Sequence, residues 1–203
     1  MAERVERFSF RERAAHWMAA ISFLYAALTG LSLWSEHLYW LAAVFGGGET
    51  VRWGHPCGGV LFALVLGFMF VNWAKQMRLD AADREWLKNS HKYAMNEEEG
   101  LPEPGRFNGG QKMLFWVQAV CALLLFASGF VLWRPIEMSR TLHLAAVLIH
   151  PATAIVAIAG IIVHIYMGLA AVPGALRGMV RGDVTRGWAA AHHPKWLREI
   201  SRR

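Results

Sequence analysis

Residues 144–172 read LAAVLIHPATAIVAIAGIIVHIYMGLAAV, a stretch without Asp, Glu, Lys or Arg. It is long enough to cross a bilayer, because a hydrocarbon core of about 30 Å takes about 20 apolar residues in a helix. His150 and His164 nevertheless lie inside it, and an ionisable side chain in a membrane segment usually has a function. They are 14 residues apart, so in a helix they share one face and lie about 21 Å apart along the axis. The pattern is typical of a helix that serves two metal centres at two depths.

The composition indicates a membrane protein. Of the 203 residues, 55% are hydrophobic, and the mean hydropathy is +0.27. We therefore predict an all-α membrane protein with a single integral-membrane domain over residues 1–203. The formal net charge is +6. Because the basic residues concentrate in particular loops, we attribute this charge to membrane topology and expect no nucleic-acid partner.

The hydrophobic segments predict a bundle of four transmembrane helices at about residues 14–34, 53–73, 112–133 and 144–172. Between the second and third spans, RLDAADREWLKNSHKY predicts a surface helix and NEEEGLPEPG a solvated loop. Lys and Arg number eighteen in the N-terminal segment, the 74–112 stretch and the tail, against three in the other two connections. The positive-inside rule therefore places both termini in the cytoplasm.

This topology sorts four histidines into two pairs at two depths. His55 and His150 fall near the outer side, and His16 and His164 near the cytoplasmic side. Each pair draws on two helices, as the two axial ligands of a haem iron require, whereas zinc prefers four ligands at one centre. We therefore predict two b haems. We interpret the remaining histidines as solvated or interfacial: His37, His91, His143, His192 and His193.

Two features of the sequence leave alternatives open. The dipeptides His55-Pro56 and His150-Pro151 mark either helix starts or helix interiors in which proline frees a carbonyl. The stretch RFNGGQK, residues 106–112, joins a basic loop to the third span. Its Asn108 could donate a hydrogen bond to a quinone carbonyl or serve simply as the N-cap of the span.

Several motifs together resemble a known family. They are RERAAHW in the first span, RWGHPCGG in the second, RFNGGQK before the third, and LIHPATA and VHIYMG in the fourth. The chain resembles the cytochrome b (gamma) subunit of membrane-bound respiratory formate dehydrogenases over nearly its whole length. The resemblance implies an outer haem held by His55 and His150 and an inner haem held by His16 and His164.

The resemblance also implies a substrate and partners. A quinone, menaquinone or ubiquinone, would bind near the inner haem at Asn108, Gly110 and His164. The implied partners are an iron–sulfur (beta) subunit and a molybdenum or tungsten pterin catalytic (alpha) subunit, and a higher oligomer of this heterotrimer is left open. Formate chemistry would belong to the partners, while this chain would pass electrons to the quinone in the lipid of the bacterial inner membrane.

Other families use related scaffolds. The cytochrome b subunits of nickel–iron hydrogenases and of thiosulfate or polysulfide reductases carry two haems on four or five spans. The RFNGGQK stretch and the lack of a fifth predicted span favour the formate dehydrogenase family. A haem-free membrane anchor is the alternative from another class, but it would not need four histidines paired by depth.

Overall fold

The computed structural model of the chain describes residues 3–95 and 100–202. In this part of the chain the helices are α1 (Phe10–Trp34), α2 (Leu41–Val44), α3 (Gly48–Trp73), α4 (Ala81–Lys88), α5 (Ser90–Ala94), α6 (Gly109–Trp133), α7 (Arg140–Tyr166), α8 (Ala175–Arg181), α9 (Arg186–His192) and α10 (Pro194–Ser201). Short 3-10 turns cover Glu36–Leu38 and Pro135–Glu137, and a π-helical segment, Met167–Ala171, continues α7. The first four residues of the expected acidic loop, 96–99, lie outside the described residues.

The prediction of four long apolar helices is confirmed. Among the residues that the structure describes, four segments have the length and hydropathy to cross a membrane: α1, α3, α6, and α7 with its π-helical extension. Three of them end at the predicted tryptophans, Trp34, Trp73 and Trp133. The predicted surface helix is also present, divided into α4 and α5.

The membrane helices begin earlier than hydropathy predicts, because polar side chains cap their first turns. Ser9 and Glu12 bond reciprocally at the start of α1, where the Ser9 N–H donates to Glu12 Oε2 over 2.8 Å. Asn108 and Gln111 do the same at α6, with the Gln111 N–H donating to Asn108 Oδ1 over 2.9 Å. A capping box of this kind satisfies backbone donors that the helix itself leaves free. Polar residues that a hydropathy pattern assigns to loops therefore form the start of two membrane helices, α1 and α6.

The all-α prediction needs one addition. Two strands, β1 (Arg4–Glu6) and β2 (Asp183–Thr185), pair antiparallel with Val5 opposite Val184. This short ladder joins the N-terminal segment to the tail, and the predicted surface tail is consequently a folded element. Val184 is 1% exposed and packs with Ala189 and Trp196 in a small core.

The chain forms two compact units by its internal contacts. The central unit comprises Ala15–Val71 and Gln118–Ala159, and the terminal unit comprises Met1–Ala14, Asn72–Val117 and Gly160–Arg203. In the central unit, Phe23 and Phe62 pack edge to face with ring centroids 5.3 Å apart. In the terminal unit, Trp86 and Tyr93 form a buried core with Ala171 and Val172.

Candidate functional site

The central unit brings together His55 from α3 and His150 from α7. Their ring centroids lie 6.0 Å apart, and the ring planes are inclined by 82°. These two residues are 95 positions apart in the sequence, so only the fold joins them. The structure thus juxtaposes the two histidines that the sequence assigns to one depth.

The Nδ1 atom of His55 is held by two acceptors on α1. It donates to the Ala26 carbonyl over 3.0 Å and lies 3.2 Å from Thr29 Oγ1. The Thr29 hydroxyl gives its own hydrogen to the Tyr25 carbonyl over 2.6 Å, so its oxygen can only accept from the ring. Because Nδ1 therefore carries the proton, the lone pair of the neutral imidazole lies on Nε2.

His150 has the same arrangement on α6. Its Nδ1 atom lies 3.0 Å from Ser128 Oγ, and the hydroxyl of Ser128 donates to the Leu124 carbonyl over 2.6 Å. The Leu125 backbone is a further acceptor for the ring. Acceptors that fix the tautomer and orientation of an imidazole in this way are characteristic of histidines that bind a metal.

A glycine follows each hydroxyl residue and lets the ring approach the backbone. A Cβ atom at Gly30 would lie 2.9 Å from His55 Cε1, and one at Gly129 would lie 3.1 Å from His150 Cε1. A larger residue at either position would displace the imidazole. In the sequence these contacts correspond to two hydroxyl–glycine dipeptides, Thr29-Gly30 and Ser128-Gly129. The dipeptides become recognisable as histidine contacts only when their depths in the membrane are compared with those of His55 and His150.

The pair fits a metal held by two axial imidazoles. The two rings lie close enough together that His55 and His150 would be within reach of one metal ion between them. Among the described residues no group of three or more His, Cys, Asp or Glu side chains could hold a metal. Two protein ligands would be enough for a metal whose other four ligands are the nitrogen atoms of a macrocycle. His55 and His150 are suited to be these two protein ligands.

The other predicted pair is distributed over both units. His16 lies in α1 within the central unit, and His164 lies in α7 within the terminal unit, so each is described separately and their pairing stays a prediction. The His16 ring packs edge to face on Trp17 with centroids 5.4 Å apart. The structure also answers whether the two prolines mark helix starts. Pro56 and Pro151 lie inside α3 and α7, so neither marks a helix start.

The predicted quinone residue Asn108 is the N-cap of α6. Its side-chain oxygen accepts from the Gln111 N–H, which is the capping role left open by the sequence. The cap uses Oδ1 and not the Nδ2 amide, so the two roles are compatible. Asn108 is 5% exposed, and Gly110 is half-buried with Trp86 alongside it.

One histidine in the terminal unit does not behave as predicted. His193 was expected to be solvated or interfacial, but it is 1% exposed. Its Nδ1–H donates to the Gly105 carbonyl over 2.7 Å, and its Nε2 accepts from Arg7 Nη2 over 2.8 Å. Arg7 can only donate and a carbonyl can only accept, so the ring must be neutral with its proton on Nδ1. The expectation failed because the contacts that bury His193 come from distant parts of the sequence.

Burial and neighbouring charge shift the pKa of both partners. Burial lowers the pKa of Arg7 to about 9, with the like charge of Arg106 as the second cause. Burial, followed by the Arg7 charge, lowers the pKa of His193 well below its usual value. Arg7 stays cationic at neutral pH, and its guanidinium lies over the rings of Phe8 and Trp188 at 5.2 and 4.8 Å.

Comparison with known proteins places these features in a family. The family model described as prokaryotic cytochrome b561 matches residues 7–182. The cytochrome b556(Fdn) subunit of nitrate-inducible formate dehydrogenase from Escherichia coli K12 is 35% identical over 99% of this chain and 94% of its own length. The cytochrome b556(fdo) subunit of formate dehydrogenase from the same strain is 35% identical over 98% and 94%. The Haemophilus influenzae formate dehydrogenase cytochrome b556 subunit is 32% identical over 97% and 83%.

Proposed function

Because the chain belongs to the prokaryotic cytochrome b561 family, and within it to the cytochrome b556 subunits of formate dehydrogenase, we propose that it carries electrons through the bacterial inner membrane. The electrons would come from a periplasmic formate-oxidising module and reduce a quinone on the cytoplasmic side. Both termini face the cytoplasm in this proposal, as the distribution of Lys and Arg indicates.

The observation that carries the proposal is the His55–His150 pair, with ring centroids 6.0 Å apart. Each Nε2 lone pair is available for iron because each Nδ1–H has an acceptor on a neighbouring helix. His16 and His164 would hold the second haem, as their predicted common depth indicates. When bound, the two b haems supply one-electron carriers at two depths.

Three residues of the chain are proposed to bind the quinone that receives the electrons. The Asn108 Nδ2 amide is a hydrogen-bond donor for a quinone carbonyl, and Gly110 and His164 are the other proposed contacts. A donor aimed at a carbonyl oxygen stabilises the negative charge that develops there during reduction. Oxidation of formate belongs to the pterin-containing catalytic subunit, and the iron–sulfur subunit would link it to His55 and His150.

The test is electron flow through the intact complex. The complex is isolated through a tag on this chain, its subunits are identified, and haem absorption is followed after addition of formate and then of a soluble quinone analogue. We expect formate to reduce the haems and the quinone to reoxidise them. Reduction by hydrogen and not by formate would favour the hydrogenase alternative, and a complex without haem would favour the membrane anchor.

A further inference from the structure

A lysine and an aspartate of the terminal unit form a nearly buried ion pair. Lys112 Nζ on α6 lies 2.5 Å from Asp83 Oδ2 on α4, and the two side chains are only 13% and 10% exposed. The same Asp83 oxygen accepts the Asp80 N–H over 2.9 Å in the capping box that begins α4. The carboxylate is therefore fixed by its own helix and holds the ammonium group in one position.

The ion pair lies beside the proposed quinone contacts. Lys112 follows Asn108 by one helical turn, and its N–H donates to the Asn108 carbonyl over 3.0 Å. A Cβ atom at Gly109 would lie 2.9 Å from the Asp83 carbonyl oxygen, so α4 packs directly on the first turn of α6. The lysine thus belongs to the same turn of helix as Asn108 and Gly110.

Lys112 also lines a cavity of the terminal unit that is partly open to solvent. The cavity has a volume of about 550 Å³ and is lined by Lys112, Glu12 and Gln76, with the exposed Ser9 and Glu199 near the surface. The wall combines charged and polar side chains with apolar ones such as Phe107 and Trp196, and the polar side chains offer water the several hydrogen-bonding partners that it needs. Because Lys112 lines this cavity, water held there would be a source of protons for its side chain.

We propose that Lys112 is the proton donor to the quinone, that Asp83 holds its ammonium group, and that the cavity supplies protons from the cytoplasmic side. This inference rests on the proposed function, which provides two electrons from formate for each quinone. Full reduction of the quinone also takes two protons. At one quinone oxygen an O–H bond forms as an N–H bond of Lys112 breaks, and a neutral amine remains beside the Asp83 carboxylate.

The amine is then reprotonated from the cavity. The negative charge of Asp83 favours return of a proton from cavity water to the amine, which restores the ion pair. The second proton, which goes to the quinone oxygen on the opposite side of the ring, would come from water and not from Lys112. The competing explanation is that the ion pair only joins α4 to α6, in which case any cation that keeps the bond to Asp83 would serve equally well.

Replacement of Lys112 by arginine separates these explanations. Lys112→Arg keeps a cation that can bond to Asp83, but a guanidinium does not give up its proton. The intact variant complex is compared with wild type for haem content, haem reduction by formate, and the rate of quinone reduction in H₂O and D₂O. The matched control is Lys75→Arg, since Lys75 is an exposed lysine of the same unit.

We expect unchanged haem content and haem reduction in Lys112→Arg, a rate of quinone reduction lower by about a hundredfold, and a larger solvent isotope effect. In Lys112→Ala, added methylammonium should restore part of the rate. A wild-type rate and isotope effect in Lys112→Arg would overturn the inference and leave the proposed function intact. Failure of the wild-type complex to reduce quinone at all would overturn both.

Discussion

Arg7 and Arg106 each donate a guanidinium N–H to the backbone carbonyl of the other. Arg7 Nη2 lies 3.2 Å from the Arg106 oxygen, and Arg106 Nη2 lies 2.9 Å from the Arg7 oxygen. Arg106 also bonds to Glu12 over 2.8 Å, while Arg7 bonds to the neutral ring of His193. The loop that leads to Asn108 is thereby fixed to the N-terminal segment and to the tail.

The state of His193 predicts a pH dependence of stability. Because its pKa is lowered in the folded protein, the unfolded chain binds a proton below about pH 6.5 that the folded protein does not. The contribution of His193 to stability should therefore be constant above about pH 6.5 and fall by about 1 kcal/mol for each pH unit below it. The measurement is the melting midpoint of the detergent-solubilised complex between about pH 7.5 and about pH 5.5.

The control for this prediction is His193→Gln, in which an amide can still bond to Gly105 or Arg7 but does not titrate. This variant should lose that part of the dependence on pH. His91→Gln, at an exposed histidine, should keep it. An equal dependence on pH in His193→Gln and wild type would assign the effect to other groups.

Haem content is the first prediction about the cofactors. Two histidine pairs predict two non-covalent b haems per chain, both low-spin because imidazole occupies both axial positions. A pyridine haemochrome assay on the purified complex, together with the protein concentration, gives the ratio. A ratio of one would restrict the haem to the His55–His150 site.

The pairing of the ligands is a separate prediction. His55→Ala and His150→Ala should each remove the same haem component, because the two ring centroids lie only 6.0 Å apart and both residues are proposed to hold that haem. His16→Ala and His164→Ala should each remove the other component. Potentiometric titration resolves the two components, and loss of the same component in His16→Ala and His55→Ala would contradict the pairing.

The hydroxyl groups of Thr29 and Ser128 should tune the outer haem. Ser128→Ala removes an acceptor of the His150 Nδ1–H, so the imidazole becomes a weaker donor to iron and the reduction potential should rise. Loss of a hydrogen bond of about 1 kcal/mol corresponds to about 40 mV in a one-electron couple. Thr29→Val should act in the same direction and to a similar extent through His55, because each ring keeps one backbone acceptor, Ala26 for His55 and Leu125 for His150.

Optical redox titration measures this shift. Ser22→Ala is the matched control, because the Ser22 hydroxyl donates to the Met18 carbonyl over 2.7 Å in the manner of Ser128. Its potentials should equal those of wild type. An equal shift in Ser22→Ala and Ser128→Ala would point to a general effect of hydroxyl removal.

Asn108 should affect both stability and quinone reduction. Asn108→Ala removes the N-cap of α6, which costs about 1 kcal/mol, and also removes the amide proposed to bind the quinone. Asn108→Ser keeps a cap oxygen and loses the amide donor. Both variants should retain two haems that formate reduces, and both should show slower haem reoxidation by a quinone analogue in stopped-flow experiments. Reoxidation at the wild-type rate in Asn108→Ser would place the quinone elsewhere.

The sequence predicts the membrane helices better at their ends than at their beginnings. The ends at Trp34, Trp73 and Trp133 follow from hydropathy and aromatic anchors. The starts do not, because a window of hydropathy excludes polar residues such as Ser9 and Asn108 that begin the helix by capping it. The signal was present as Ser9-x-x-Glu12, which is the pattern of a capping box.

The sequence also indicates candidate ligands more readily than the residues that would position them. Helical periodicity and topology suffice to bring His55 and His150 to one depth, because both depend on local spacing. The burial of His193 depends instead on Arg7, which is 186 positions away. Two adjacent histidines in a basic tail give no local indication that one of them is in a core.

The repeated contact of a hydroxyl residue and a glycine with each histidine has a consequence for biogenesis. His55 takes its acceptors from α1, and His150 takes its hydroxyl acceptor from α6. Each helical hairpin therefore orients its own histidine without help from the other hairpin. We therefore expect the apoprotein to insert as two helical hairpins that are each ordered on their own. The haem proposed to bind between His55 and His150 would then join the two hairpins, so that maturation of the subunit would depend on haem supply.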